Sequence, residues 1–174
     1  MKTPYPVYWP QFYTATIYEW KELLLKDEYK NIIIESLQWL VKHERIELNG
    51  FVIMSNHNHL IWQALNEFTP SDVQASFMKY TSKQLLSLVK KDKPGMLAEF
   101  KVNKGDREYQ VWKREPLGVE LFTAEVFYQE LDYIHNNPVK AGLCKYAEEY
   151  YYSSAKFYHS EVDDFKMLTH YMGS

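Results

Sequence analysis

Two short runs rich in β-branched and aromatic residues, Phe51-Val52-Ile53-Met54 and Leu60-Ile61-Trp62, flank the stretch Ser55-Asn56-His57-Asn58-His59. Such runs suit a pleated, half-buried surface, and Ser-Asn supplies the local hydrogen bonds of a tight turn, so the pattern predicts a hairpin. Its strands are expected over Ile46 to Ser55 and His57 to Gln63. Side chains two apart on a strand point to one face, so His57 and His59 can reach a single metal ion from a rigid sheet. By itself His-x-His is a weak signal, and two incidental half-exposed histidines would look the same.

A second segment adds information. Thr123 is a helix-capping residue, Glu125 suits the positive end of the helix dipole, and Pro138 marks a stop. Phe127, Leu131 and Ile134 recur at helical spacing and form a buried stripe. Tyr133 and Asn137 lie four apart on another face, so a phenol and an amide project together, away from that stripe. The plainer alternative is an amphipathic tyrosine and an asparagine that helps end the helix. Pro138 also biases Asn137 out of helical geometry.

Together, Met54, Asn56-His57-Asn58-His59-Leu60 and Tyr133-Ile134-His135-Asn136-Asn137-Pro138-Val139, continuing Lys140-Ala141-Gly142-Leu143, resemble the single-tyrosine HUH transposases. The likeness is greatest to the REP-associated tyrosine transposases and their insertion-sequence relatives. Trp112 and Tyr150-Tyr151-Tyr152-Ser153-Ser154-Ala155 look like further landmarks, and the resemblance runs from about Tyr13 to Tyr158. One departure is Asn58, where the family has a bulky apolar residue. Its side chain should point to the opposite sheet face. A buried amide without partners costs about 1–3 kcal/mol, so Asn58 is expected to be hydrogen-bonded or thinly covered.

The resemblance implies an α+β, ferredoxin-like antiparallel sheet, with helices on one face and the Tyr133 helix at the opposite face that bears His57 and His59. It implies cleavage and rejoining of single-stranded DNA, often beside a hairpin, through a covalent 5′-phosphotyrosine. Tyr133 would be the nucleophile. His57, His59 and the Asn137 carbonyl oxygen would be three neutral ligands, leaving a cation's charge free to polarise phosphate. Mg²⁺ or Mn²⁺ is the expected divalent metal, and imidazoles would also accept Zn²⁺ or Ni²⁺ in a crystal. His135 stands open between a partner of this site and an ordinary helix-end histidine. A homodimer, and action of Tyr133 on its own or a partner's site, also stay open. Two other readings compete: a domesticated, non-mobile nucleic-acid-binding relative, and a small metal-dependent hydrolase. A hydrolase needs a water-activating base, which Tyr133 and Asn137 do not supply.

At 174 residues the chain has room for one domain, with a core over about residues 11–158 and a short C-terminal tail. Hydrophobic content of 46% and aromatic content of 17% argue against disorder. No apolar run is long enough to span a membrane, and the start Met1-Lys2-Thr3-Pro4-Tyr5-Pro6 does not read as a signal peptide. Cys144 is the only cysteine, so no intrachain disulfide is expected, and a reducing, cytoplasmic setting fits. The net charge of −3 is awkward for a DNA-binding protein, yet ten basic residues stand against five acidic ones between Ser76 and Glu115. Lys79, Lys83, Lys90, Lys113 and Arg114 from this segment are the expected phosphate contacts. A merely solvated helix and loop is the plainer alternative. Trp62, Trp112 and the Tyr150-Tyr151-Tyr152 run are candidates either for stacking bases or for core packing.

The remaining elements follow from periodicity. Gln11 to Tyr18 reads as a first strand. Asp27 is expected to cap a helix to about His43, packed through Ile33, Leu37, Leu40 and Val41. Ser71 is expected to cap the next, through about Lys91, with Val73, Phe77, Tyr80, Leu85, Leu88 and Val89 inward. Lys93-Pro94-Gly95 breaks it, Lys101 to Gln110 reads as an exposed loop, and Gln110 to Trp112, with Val119 to Phe122, as a further strand.

Overall fold

Alternation in the strands and helical spacing in the helices divide the apolar residues between two faces of one sheet. The computed structural model describes residues 8–65, 67–114 and 116–172. In chain order its elements are β1 (Gln11–Thr16), α1 (Asp27–Lys42), β2 (Ile46–Ile53), β3 (His57–Ala64), α2 (Pro70–Asp92), β4 (Lys101–Lys104), β5 (Arg107–Tyr109), β6 (Leu117–Glu120), α3 (Ala124–Lys140) and α4 (Ala155–Ser160). The main sheet is antiparallel in the order β2-β3-β1-β6. With α1 between β1 and β2 and α2 between β3 and β6, this is the βαββαβ arrangement of ferredoxin-like folds. The expected α+β class is what the chain adopts.

One face of the sheet, through Tyr13, Ala15, Leu60 and Trp62, joins Ile33, Leu37, Val73 and Phe77 of α1 and α2 in the larger apolar cluster. The other face, through Phe12, Val52 and Ile61, meets Phe127, Leu131 and Ile134 of α3. Gly50, at a bulge in β2, lets α3 come close: a Cβ there would stand 2.7 Å from Leu131 Cδ1 and 3.3 Å from Ile134 Cδ1. Those two residues bracket Tyr133.

Several sequence expectations need correction. Lys26, not Asp27, stands at the N-cap of α1 without a side-chain bond, and Asp27 instead places its charge in the first turn. Thr69 caps α2 reciprocally with Asp72, and Ser71 lies two residues too late. Tyr80 faces solvent; Thr81 takes the inward position, donating to Phe77 O at 2.7 Å and accepting from Trp112 Nε1 at 2.9 Å. The expected loop is the β4–β5 hairpin, anchored by buried Phe100 and Val102. The fourth strand of the main sheet is β6, while Trp112 makes only an isolated bridge to Ile17.

Pro138 does not end α3. It lies in the last turns, where a missing N–H costs one bond, and the helix continues to Lys140. Gly142, at φ 75°, ends it: its N–H donates to Val139 O at 3.0 Å, and Leu143 N–H donates to Pro138 O at 2.9 Å. These paired bonds form a glycine-dependent C-terminal cap that non-glycine residues adopt only with strain. The tail is also more than an appendage. Leu168 bridges Leu48, and the Tyr171 ring stacks on Phe127 at 4.0 Å, so it runs from the outer edge of β2 to α3. Among the described residues no helix is long and apolar enough to cross a membrane.

Candidate active site

The register of β3 sets the site. His59 lies opposite Thr14 and Val52, and His57 opposite Thr16, so both imidazoles point to the face covered by α3. Their ring centroids are 4.8 Å apart. His59 Nδ1 is 2.8 Å from Thr14 Oγ1, and His57 Nδ1 is 2.7 Å from Asn56 Oδ1. The amide oxygen of Asn56 can only accept, so it selects the His57 tautomer with a proton on Nδ1 and a bare Nε2. Bonds of this kind, from the nitrogen not used for ligation, hold metal-binding histidines in orientation. Thr14 is therefore part of the site. Its role depends on strand register, which no spacing in the sequence announces.

Burial, then the charge of neighbouring His57, pushes the His59 pKa down to about 3. Burial also lowers that of His57, partly offset by the nearby Asn137 side chain. Both rings are neutral and able to bind a cation near neutral pH. Among the described residues no three His, Cys, Asp or Glu side chains converge. The candidate ligand set is thus two imidazoles and the Asn137 amide, all uncharged, with an outer hydrogen bond on the Nδ1 of each histidine. That set fits a divalent cation of the Mg²⁺ to Zn²⁺ range.

Because α3 stays helical through Asn137, Tyr133 and Asn137 keep their common face. Tyr133 is 47% exposed, with its ring edge-on to His59 at 5.6 Å and to Phe12 at 6.1 Å. Phe12 in turn stacks on His59 at 5.3 Å. The Lys140 ammonium lies 5.9 Å from the Tyr133 ring centroid. Lys140 was not among the expected site residues, although its seven-residue spacing from Tyr133 places it two helical turns away on that face.

His135 lies on the other side of α3. Its Nε2 is 2.7 Å from Ser154 Oγ, which accepts from Phe51 N–H at 2.9 Å, and its ring faces Tyr158. It therefore ties α3 to β2 and the 153–154 segment rather than touching the histidine pair. Burial holds its pKa down to about 4. Between that value and the ordinary 6.5 the unfolded chain takes up a proton that the folded protein refuses, so stability is full above pH 6.5 and falls as pH drops toward 4. The loss from this group is on the order of 3 kcal/mol. Urea unfolding from pH 7 to pH 4 should show a slope one proton shallower in His135→Gln. Equal slopes would mean that His135 is protonated as readily folded as unfolded.

Asn58 does point to the opposite face, but it is 0% exposed and neither amide atom has a hydrogen-bonding partner among the described residues. The expectation of a partner or thin cover is wrong: its strand neighbours Ala15 and Ile53 belong to the larger apolar cluster that α1 and α2 complete. Trp62, at 2% exposed, is core, with its ring stacked on Tyr13, and Trp112 is buried against Thr81 and Phe77. Tyr150 and Tyr152 spend their hydroxyls on Ile53 O and Asn31 Oδ1, whereas Tyr151 is exposed. Of the expected phosphate contacts, Lys79, Lys113 and Arg114 gather around one groove with Arg107. Lys90 sits nearby over the Tyr109 ring, and Lys83 is exposed on α2 outside that groove. The groove opens on the α2 side of the sheet, opposite the histidines.

The fold, though not the site itself, can be compared with known structures. A REP-associated tyrosine transposase bound to a REP hairpin aligns with 100% of this chain and 93% of its own, at 17% identity and a TM-score of 0.64. The two share a fold. A candidate transposase from Deinococcus radiodurans R1 also aligns, over 78% of this chain and 97% of its own, at 14% identity and a TM-score of 0.48. Neither the family models nor the curated proteins compared with the sequence give a match.

Proposed function

We propose that this protein is a metal-dependent transesterase of single-stranded DNA, a transposase that cuts and rejoins through a covalent bond to Tyr133. The observation that carries the reading is the convergence of two neutral, oriented imidazoles, the Asn137 amide and an exposed tyrosine from two distant segments. The shared fold with a REP-associated tyrosine transposase supports it. DNA beside a hairpin is the corresponding substrate.

His57, His59 and Asn137 would hold the cation, Mg²⁺ or Mn²⁺ in the cell. A cation held there supplies Lewis-acid polarisation of the scissile phosphodiester. Tyr133 Oη attacks phosphorus, giving up its proton, and the 3′ oxygen of the preceding nucleotide leaves and becomes a 3′-OH. The product is a 5′-phosphotyrosine. A 3′-OH can attack the same phosphorus in reverse and release the phenol, so strands rejoin without an outside energy source. Lys140 places a second positive charge beside the Tyr133 ring, to be shared with the cation in answering the phosphate charge. Phe12, stacked on His59, limits the turning of that ring.

The test is incubation with hairpin-bearing single strands and Mn²⁺, followed by a denaturing gel that detects protein joined to DNA. The cationic groove makes a further prediction. Each phosphate neutralised on a single strand contributes about −0.7 to the slope of log affinity against log salt. Replacing Lys79, Lys113 and Arg114 by alanine should flatten that slope by about 2. An unchanged slope would put the DNA on another surface.

A further inference from the structure

The histidine pair and the cationic groove open on opposite sides of the sheet, so one strand that touches both must turn around the sheet between them. We propose that Trp20 marks the turn: its exposed ring stacks on one base of the strand, between the phosphates held by the groove and the phosphodiester at Tyr133. The inference rests on the single-stranded DNA reading above and adds a contact that belongs to neither the histidine site nor the groove.

The place of Trp20 carries the argument. Thr16, the last residue of β1, lies opposite His57. Ile17, the next residue, donates its N–H to Asn56 O at 2.8 Å, and the Asn56 side chain in turn holds His57 Nδ1. Trp20 N–H donates to Ile17 O at 2.8 Å, which folds the turn Tyr18–Trp20 back on that end of the sheet. From the groove side, Lys113 N–H donates to Thr16 O and Tyr18 N–H donates to Val111 O, both at 2.7 Å. Val111 and Lys113 line the groove, so its wall runs along the same turn. The Lys113 ammonium stands 4.6 Å from the Trp20 ring centroid. Asn56 on one side and Lys113 on the other thus tie Trp20 to both places the strand must reach.

The ring is also held outward. Trp20 is 60% exposed, although an indole is among the largest apolar groups a core can bury, and Trp62 and Trp112 are buried. Glu19 and Trp20 both keep left-handed backbone, at φ 56° and 54°, which bulky side chains seldom adopt. Strain of this kind persists only where the surroundings impose it, and it collects at ligand-binding places. Here the bonds to Ile17 and Val111 impose it. With the ammonium over one face of the ring, an exposure of 60% leaves the other face to solvent. An open indole face stacks on any nucleobase, and the cation beside it answers the adjoining phosphate. The carboxylates of the turn do not oppose that charge directly. Glu19 is paired with Lys21 at 2.8 Å, and Glu22 accepts from Ser55 Oγ at 3.4 Å.

The experiment uses hairpin-bearing DNA with a single-stranded tail, without divalent metal. The hairpin fixes the register, and 2-aminopurine, whose fluorescence stacking quenches, is stepped along the tail. Wild-type protein should quench the probe at one position or two adjacent ones. Trp20→Ala should relieve that quenching and weaken binding roughly tenfold, whereas Trp20→Phe should keep both within about twofold of wild type. The unfolding midpoint of Trp20→Ala should not fall, because the ring is mostly in solvent. Its slope of log affinity against log salt should match wild type, since no charge is lost, while Lys113→Ala should flatten the slope by about 0.7. Quenching that survives Trp20→Ala, or strand affinity that does not change in it, overturns the proposal. If wild type forms the Tyr133 adduct and Trp20→Ala binds as tightly, the stacking site alone fails. Quenching that depends on Trp20 in a protein that forms no adduct sinks the cleavage reading alone. A wild-type protein that does not bind the strand sinks both.

Discussion

Tyr133→Phe is expected to abolish the covalent protein–DNA adduct while leaving the fold, metal binding and strand affinity nearly unchanged. The substitution removes one oxygen from a ring that is half in solvent and keeps its edge contacts with Phe12 and His59. Surface changes of this size shift stability by no more than about 0.5 kcal/mol. The loss should be complete, because the hydroxyl is the bond-forming atom. The chain has 15 tyrosines, so a substitute nucleophile is the real competitor. The hydroxyls of Tyr150, Tyr152 and Tyr158 are already bonded to Ile53 O, Asn31 Oδ1 and Asn49 O, and burial raises the pKa of each. Those three are poor nucleophiles on both counts. An adduct that persists in Tyr133→Phe would reassign the nucleophile. A wild-type protein that binds hairpin-bearing single strands but gives no adduct with Mg²⁺ or Mn²⁺ would favour a domesticated binding protein.

The histidine pair and the tyrosine helix were legible because each rests on a short period: two for the strand that presents His57 and His59, and about 3.6 for the helix that turns Phe127, Leu131 and Ile134 inward and Tyr133 outward. What depended on distant pairing was not. Thr14 joins the site only through the register between β1 and β3. Lys79, Lys113 and Arg114 were expected from their charge, but Arg107 joins them only because packing brings α2, the β4–β5 hairpin and the chain beyond it around one groove. The hairpin itself hid because its strands are short and mostly polar, with Val102 as their buried point. Pro138 misled for a local reason. A proline forbids little near a helix end, and the stop signal lay four residues on, in Gly142. Asn58 marks the opposite limit: the side it faces was readable, but the absence of a partner there was not.

His57→Ala is expected to remove measurable divalent-metal binding, and with it the adduct. His57 is the safer probe of the pair, since His59 is buried against Phe12 and Thr14 and its truncation would leave a cavity. Mn²⁺ titration by calorimetry provides the measurement, with the unfolding midpoint as a control for the fold. Thr14→Val tests the outer shell. It keeps the side-chain shape, removes the bond to His59 Nδ1, and should weaken metal binding about 10- to 100-fold. Asn137→Ala should cost less than either histidine, because an amide oxygen contributes less than an imidazole to a borderline ion. The ranking separates a metal site from a purely structural histidine cluster. In a structural cluster, His57→Ala would lower the unfolding midpoint, and Mn²⁺ affinity would be weak and equal in every variant. Undiminished Mn²⁺ binding in both His57→Ala and His59→Ala would take the metal away from this pair. Tyr133 would then lie beside two neutral imidazoles with no cation to activate the phosphate, and the proposed transesterification would lose its physical basis.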